Sequence, residues 1–333
     1  MNGPVDRIPS GTRDVLPDEM RELRAMTDRI RTVFDRAGYG EVYTPALEYE
    51  GTFAAERAGR SWLATPPAYR VFDEQGNVLV LRSDMTVPIA RLVANRYQHA
   101  EPPFRFSYLA HAYRSVRPQR GQSREFLQAG IELIGSPSPE GTAEVLGVLC
   151  AALDAAGLEG YRVGLGDAAL YPSLLERLGV GEDIRERILR ELVDGDFVGV
   201  EREVAALPLD AENAQLLVSV PQTRGGAEVL EGLSGPLDHA VNGMRTVHGA
   251  VPLDVASRII FDLGLVRSLG YYTGAVFQVY DPGYGVPIGI GGRYDELLGL
   301  FGRPLPAVGF ALNVERLHIA LTGEERGRPR GPG

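Results

Sequence analysis

Glu125-Phe126-Leu127-Gln128-Ala129-Gly130-Ile131-Glu132-Leu133-Ile134 is a largely apolar, strand-compatible run with two polar side chains, Gln128 and Glu132, set inside it. The period-two geometry of a strand puts Gln128, Gly130 and Glu132 on one face, with the glycine leaving room between its neighbours. A carboxylate inside such a run must be paired or must recognise something cationic. Residues 104–116 form a second strand-like run, joined to the first by a polar loop that begins Arg117-Pro118-Gln119-Arg120-Gly121-Gln122 and ends at Arg124. Two strands with a connection of that length predict an antiparallel pair and a mobile loop.

Outward from this pair the chain alternates between helical and extended patterns. Pro17 and Asp18 open a helix whose apolar residues Met20, Leu23, Met26, Ile30, Val33 and Phe34 share one side, and Gly38 sits where a C-terminal glycine belongs. Residues 41–49 read as extended, with Pro45 limiting them to an edge, an end or an interface. Residues 69–72 and 78–81 predict a hairpin. A helix follows Pro139 and stops at Gly157, and 161–165 reads as a short strand. Between about 170 and 235 only helical spacing is found, as in Ile184, Ile188, Leu189 and Leu192. Strand character returns over 258–265, 271–280 and 286–290, before a last helix over 313–321. The expectation is an α+β chain with a core over 1–170 and 235–324, a small helical insertion over 171–234, and a disordered tail over 325–333.

The 333 residues carry 34 basic and 44 acidic side chains, a net charge of −10, and one cysteine, Cys150. A single cysteine excludes a disulfide framework and a thiolate zinc cage. No stretch approaches the roughly 20 apolar residues of a membrane span, and Asp6, Arg7, Arg13 and Asp14 break up any leader; a cytoplasmic location is expected. Every basic residue is an arginine, so no lysine chemistry is available. The acidic balance disfavours a non-specific grip on nucleic acid.

His99, His111, His239, His248 and His318 contain no pair at metal-ligand spacing. Gly289-Ile290-Gly291-Gly292 lacks the spacing and context of a dinucleotide loop. What remains is a set of polar residues in otherwise apolar runs: Asp84, Thr86, Arg114, Gln128, Glu132 and Arg267, the last preceding Tyr271-Tyr272. They could be internal salt bridges, Arg114 or Arg267 with Glu132. The sharper alternative is a pocket for a zwitterion, with arginine for a carboxylate and Asp or Glu for an ammonium.

Several blocks resemble histidyl-tRNA synthetase, a class II aminoacyl-tRNA synthetase. They include Ile8-Pro9-Ser10-Gly11-Thr12-Arg13-Asp14, Leu81-Arg82-Ser83-Asp84-Met85-Thr86, Tyr113-Arg114-Ser115-Val116-Arg117-Pro118-Gln119-Arg120-Gly121 and Arg124-Glu125-Phe126-Leu127-Gln128. Arg267-Ser268-Leu269-Gly270-Tyr271-Tyr272-Thr273-Gly274, Gly291-Gly292-Arg293-Tyr294-Asp295 and Gly309-Phe310-Ala311-Leu312-Asn313-Val314-Glu315-Arg316-Leu317 follow in the same order. The resemblance implies a class II antiparallel sheet flanked by helices, dimerising through the first long helix and the Pro45 strand. It implies that Asp84, Thr86 and Gln128 face a histidine ammonium, Arg114 with Gln128 the carboxylate, and Glu132 with Tyr272 the imidazole. Arg267, Tyr271 and Tyr294 would line the same cavity, and Arg316 would keep residual nucleotide affinity.

The departures from the synthetase pattern fall on nucleotide and amino-acid handling. Val116 stands for a glutamate that holds ATP, Gln122 for an arginine of the mobile loop, Gly270 for an aspartate, Asn313 for a glycine, and Asp84 for a longer glutamate. Only 17 residues follow Arg316, where a synthetase continues into an anticodon-binding domain. The combination resembles the family of ATP phosphoribosyltransferase regulatory subunits. That resemblance implies a protein with no catalytic residues, no metal and no cofactor. Its partner would be the short catalytic subunit of the first histidine-biosynthesis enzyme, in a hetero-oligomer built on a homodimer, with histidine as ligand and no tRNA. The alternative is a shortened ligase that activates histidine or a related amino acid.

Overall fold

A computed structural model describes residues 8–54, 68–116, 123–231, 233, 237–265 and 271–327, with only the backbone for Ala54 and residues 324–327. Arg267, Gln122, Gly270 and the loop over 117–122 lie outside the described residues. Pro17 occupies the first turn of α1 (Pro17–Arg36), where its missing N–H is no loss, and Asp18 and Glu19 complement the helix dipole there. Gly38, two residues past the helix, takes φ 82°. In chain order there follow β1 (Gly40–Glu41), β2 (Leu47–Tyr49), α2 (Glu50–Ala54), β3 (Arg70–Phe72), β4 (Val78–Leu81), α3 (Thr86–Arg96), β5 (Phe104–Tyr113) and β6 (Glu125–Ile134). Then come α4 (Glu140–Ala156), β7 (Arg162–Asp167), α5 (Leu170–Arg177), α6 (Glu182–Asp194), α7 (Phe197–Ala205), α8 (Ala211–Ser219) and β8 (Arg224–Gly225). The chain continues through α9 (Asp238–Ala250), α10 (Leu253–Ala256), β9 (Ile259–Asp262), β10 (Ala275–Asp281), β11 (Tyr284–Arg293), β12 (Ala307–Asn313) and α11 (Val314–Gly327).

Among the described residues, nine strands form one sheet in the order β1-β5-β6-β12-β11-β10-β7-β9-β8, and β2-β4-β3 form a second, smaller one. The predicted β5–β6 pair is antiparallel in unbroken register, with Tyr108 opposite Gly130 and Phe106 opposite Glu132. Two pairings are parallel, β1 with β5 and β7 with β9. Each joins strands separated by helices, the long crossover that parallel neighbours require.

The large sheet separates two apolar clusters, as alternation on a doubly covered sheet demands. Ala129, Ile131 and Leu133 of β6 face α1 and α4 through Met26, Ile30, Leu146 and Leu149, and α5 to α9 join the same cluster. On the other face, Phe104, Phe106 and Tyr108 of β5 pack with Val87 and Ile89 of α3 and Val80 of β4.

Several boundaries differ from the sequence expectation, and the segment over 170–235, where only helical spacing is found in the sequence, contains β8, two residues that add to the edge of the large sheet by pairing with β9. The extended run over 41–49 is two strands in different sheets, broken around Pro45, which has no N–H to give a ladder. The strand expected from Tyr271 begins at Ala275, because Tyr271 and Tyr272 turn their rings onto each other and Tyr271 onto Tyr294. The last helix, expected over 313–321, runs to Gly327, so its last three residues occupy the start of the expected tail.

Candidate functional site

The site lies over the sheet face shared by β6, β12 and β11 and is closed by the start of α3. Its lining is Asp84, Thr86, Arg114, Gln128, Tyr271, Tyr272 and Tyr294, with Ile290, Gly309, Phe310 and Ala311 beneath, around a space of about 310 Å³ including its mouth. Seven of the sequence-predicted residues are therefore neighbours although they come from five separate segments. Glu132 sits against this lining, bonded to two of its members. Arg316 does not line it.

β6 carries Gln128 and Glu132 inward because the pleat sends both to one face; Gly309 of β12 makes room for Glu132, while the space at Gly130 between them, which the sequence reading left to its neighbours, is taken by Tyr108 and the Phe310 carbonyl. A Cβ on Gly130 would lie 2.2 Å from the Phe310 carbonyl oxygen, and one on Gly309 would lie 1.8 Å from Glu132 Oε2. Tyr108, missed by the sequence reading, fills the space above Gly130 and donates to the Phe310 carbonyl at 3.3 Å.

Glu132 is 1% exposed. It accepts from the Thr86 hydroxyl at 2.7 Å and from the Tyr294 hydroxyl, and among the described residues it has no arginine partner. Burial pushes its carboxyl up to about 8, against the lowering effect of those two hydroxyls; the charge of Asp84 adds to the rise. At neutral pH it is therefore predominantly the uncharged acid. Tyr294 is held in place by Arg293, whose guanidinium bonds Asp295 at 2.8 Å, the Ser136 carbonyl at 3.0 Å and Thr142 at 3.2 Å.

Asp84 performs two tasks. One oxygen accepts the Val87 N–H at 3.1 Å and so caps α3, an arrangement favoured by the helix dipole. The carboxylate also lines the pocket. Burial raises its pKa, while the Val87 N–H and the Arg114 charge pull it down.

Arg114 follows the end of β5, with its guanidinium 5.0 Å over the Phe126 ring. Burial lowers its pKa and the Asp84 charge opposes that. The two groups sense one another without forming an ion pair. Among the described residues, Arg114 Nε and Gln128 Oε1 are buried with no hydrogen-bond partner, and Gln128 is 4% exposed. A buried donor and a buried acceptor left unmade on one wall are costly unless a ligand completes them. The salt-bridge alternative for Arg114 and Glu132 is thus not realised; an open polar wall is. In the same lining, Tyr271 and Tyr272 meet at 4.9 Å between ring centroids, and Tyr271 and Tyr294 at 5.7 Å.

Arg316, in the first turn of α11, donates to the Pro287 carbonyl at 2.8 Å, and Asn313 accepts the Arg316 N–H at 2.9 Å. Burial lowers the Arg316 pKa, and the nearby Arg114 charge contributes in the same direction. Glu315 was also missed. Its carboxylate accepts the Leu127 N–H at 3.0 Å, a position that β12 vacates when it turns into α11, so it keeps β6 in register beside Gln128. Only the register between β6 and β12 brings Gly309 to the pocket and Glu315 to the strand edge behind it.

The family model described as histidyl-tRNA synthetase matches residues 11–317. An ATP phosphoribosyltransferase regulatory subunit of Symbiobacterium thermophilum is 42% identical over 96% of this chain and 82% of its own length. A protein of the same name from Desulforamulus reducens is 38% identical over 98% of this chain and 81% of its own. A crystal structure from Bacillus halodurans, described as an ATP phosphoribosyltransferase regulatory subunit/histidyl-tRNA synthetase, superposes with a TM-score of 0.87 at 33% identity, covering 96% of this chain and 84% of that one. The α+β, class II-like architecture expected from the sequence is the observed one. No helix among the described residues is long and apolar enough to cross a membrane.

Proposed function

The chain belongs to the family of ATP phosphoribosyltransferase regulatory subunits, itself built on the histidyl-tRNA synthetase fold, and from that premise we propose that it is a non-catalytic subunit whose pocket binds histidine. The observation that carries this reading is the unsatisfied polar wall. Gln128 Oε1 and Arg114 Nε are buried without partners among the described residues, in a cavity also lined by Asp84, Thr86 and three tyrosines, with the largely uncharged Glu132 behind Thr86 and Tyr294. An amino-acid zwitterion supplies a donor and an acceptor to that wall, and an imidazole supplies the group that Glu132, Thr86 and Tyr294 would hold.

In this reading the chain dimerises and assembles with the short catalytic subunit, and histidine acts as the feedback ligand. Histidine shifts such an assembly only by binding one of its states better, with a usual coupling of about 1–3 kcal/mol, or roughly 5- to 150-fold. Calorimetry with L-histidine tests the pocket: saturable binding is expected, with a loss of at least ~10-fold in Gln128→Ala. Histidine-dependent pyrophosphate exchange tests the competing ligase reading, and no exchange is expected. Absence of binding to the dimer and to its complex with the catalytic subunit would end the histidine reading.

A further inference from the structure

Arg82 is 3% exposed and, among the described residues, has no carboxylate within ion-pairing distance. Its fork is spent on main-chain carbonyls: Nη1 donates to Thr44 O at 2.6 Å and Nε to His111 O at 2.8 Å. The main chain of the same residue makes two more ties, its N–H to Ala46 O at 2.9 Å and its carbonyl to the Tyr113 N–H at 2.9 Å. These bonds have a geometric reason. β1 covers the outer edge of β5 only at Phe106 and Ser107, so the edge from His111 to Tyr113 would otherwise be bare. Arg82 replaces the missing strand there, with its backbone and its guanidinium together.

The position has a consequence for the pocket. Asp84 is two residues beyond Arg82, and Arg114 is the residue after Tyr113. The Thr44–Ala46 segment that Arg82 holds runs directly into β2, which presents Leu47 and Tyr49 to solvent. One planar, five-donor side chain is thus the joint between the two charged walls of the pocket and the small sheet. We propose that Arg82 is a positioning residue that sets the spacing of Asp84 and Arg114, and through its hold on Thr44–Ala46 transmits occupancy of the pocket to β2. The proposal rests on the reading that histidine occupies the pocket.

Two measurements test it. In Arg82→Met, the affinity for L-histidine is expected to fall at least ~10-fold, while that for 4-methylimidazole, which has neither ammonium nor carboxylate, stays within about threefold. Arg82→Lys, which keeps the charge but not the fork, is expected to lose less and serves if Arg82→Met does not fold. Equal losses for both ligands would mean general loosening and overturn the positioning role. In the unaltered protein, histidine is expected to slow amide exchange at Arg82, Tyr113 and residues 46–49; protection confined to the pocket would overturn the transmission. If the unaltered protein binds 4-methylimidazole as tightly as L-histidine, or binds neither, it is the histidine reading that has failed.

Discussion

Gly309 stands directly opposite Glu132 in the β6–β12 ladder, and a methyl group on it would lie 1.8 Å from Glu132 Oε2. The buried carboxyl thus depends on a missing side chain in the next strand. Gly309→Ala is expected to push Glu132 away from Thr86 and Tyr294, destabilise the fold by about 1–3 kcal/mol, and reduce histidine affinity at least ~10-fold. Urea midpoints and calorimetry check both. An overpacked but folded variant with undiminished affinity would remove Glu132 from the ligand site.

The same carboxyl makes stability depend on pH with a definite sign. Its folded pKa of about 8 lies above the ordinary 4.5, so the folded state keeps a proton that the unfolded chain releases. Its contribution is complete below about pH 4.5 and is lost as pH rises through about 8. Glu132→Gln cannot titrate there, so its stability is expected to vary less between pH 5 and 9 and to exceed the parent's at pH 9 by about 2–5 kcal/mol. Unfolding in urea at pH 5, 7 and 9 measures this; parallel curves for the two proteins would contradict it.

Ligand binding is expected to follow a bell. A free histidine imidazole titrates near ~6.5 and Glu132 at about 8. Between these values a neutral imidazole can take the Glu132 proton, giving an imidazolium on a carboxylate with no exchange of protons with solvent. Below this window the site must release a proton on binding, and above it must gain one, so affinity falls on both sides by up to ~10-fold per pH unit. Calorimetry in two buffers of different ionisation enthalpy reads the proton count directly. Uptake of the same size at every pH would refute the shared-proton arrangement.

The sheet was legible where a residue's neighbours are its own strand. Alternation alone placed Gln128, Gly130 and Glu132 on one face, and the β5–β6 register fulfils it. It failed where a second segment decides. Pro45 signalled an interruption, but nothing local says that β1 and β2 go to different sheets. Tyr271 and Tyr272 have strand propensity yet leave β10 for ring contacts with each other and with Tyr294. Tyr108 and Glu315 come to support the site only through pairing across β5, β6 and β12, a non-local relationship that periodicity cannot carry. The two-residue β8 is too short for any pattern.

The last expectation concerns the base of the connection between β5 and β6, next to Arg114. Arg124 accepts the Arg114 N–H at 2.8 Å on its carbonyl and gives its own N–H to Gly11 O at 2.8 Å. Its guanidinium donates to Val116 O at 2.9 Å and to Ser10 O at 3.0 Å. Arg124→Ala keeps the two main-chain bonds and removes the side-chain pair, so stability should change by only ~1 kcal/mol. Arg114, however, loses the brace on the chain that carries it. If Arg114 holds the ligand carboxylate, L-histidine should bind several-fold more weakly to this variant, while histidinol, which has a hydroxyl in that place, should lose little. Equal losses for the two ligands would show that Arg124 steadies the whole pocket and that Arg114 is not its carboxylate-binding group.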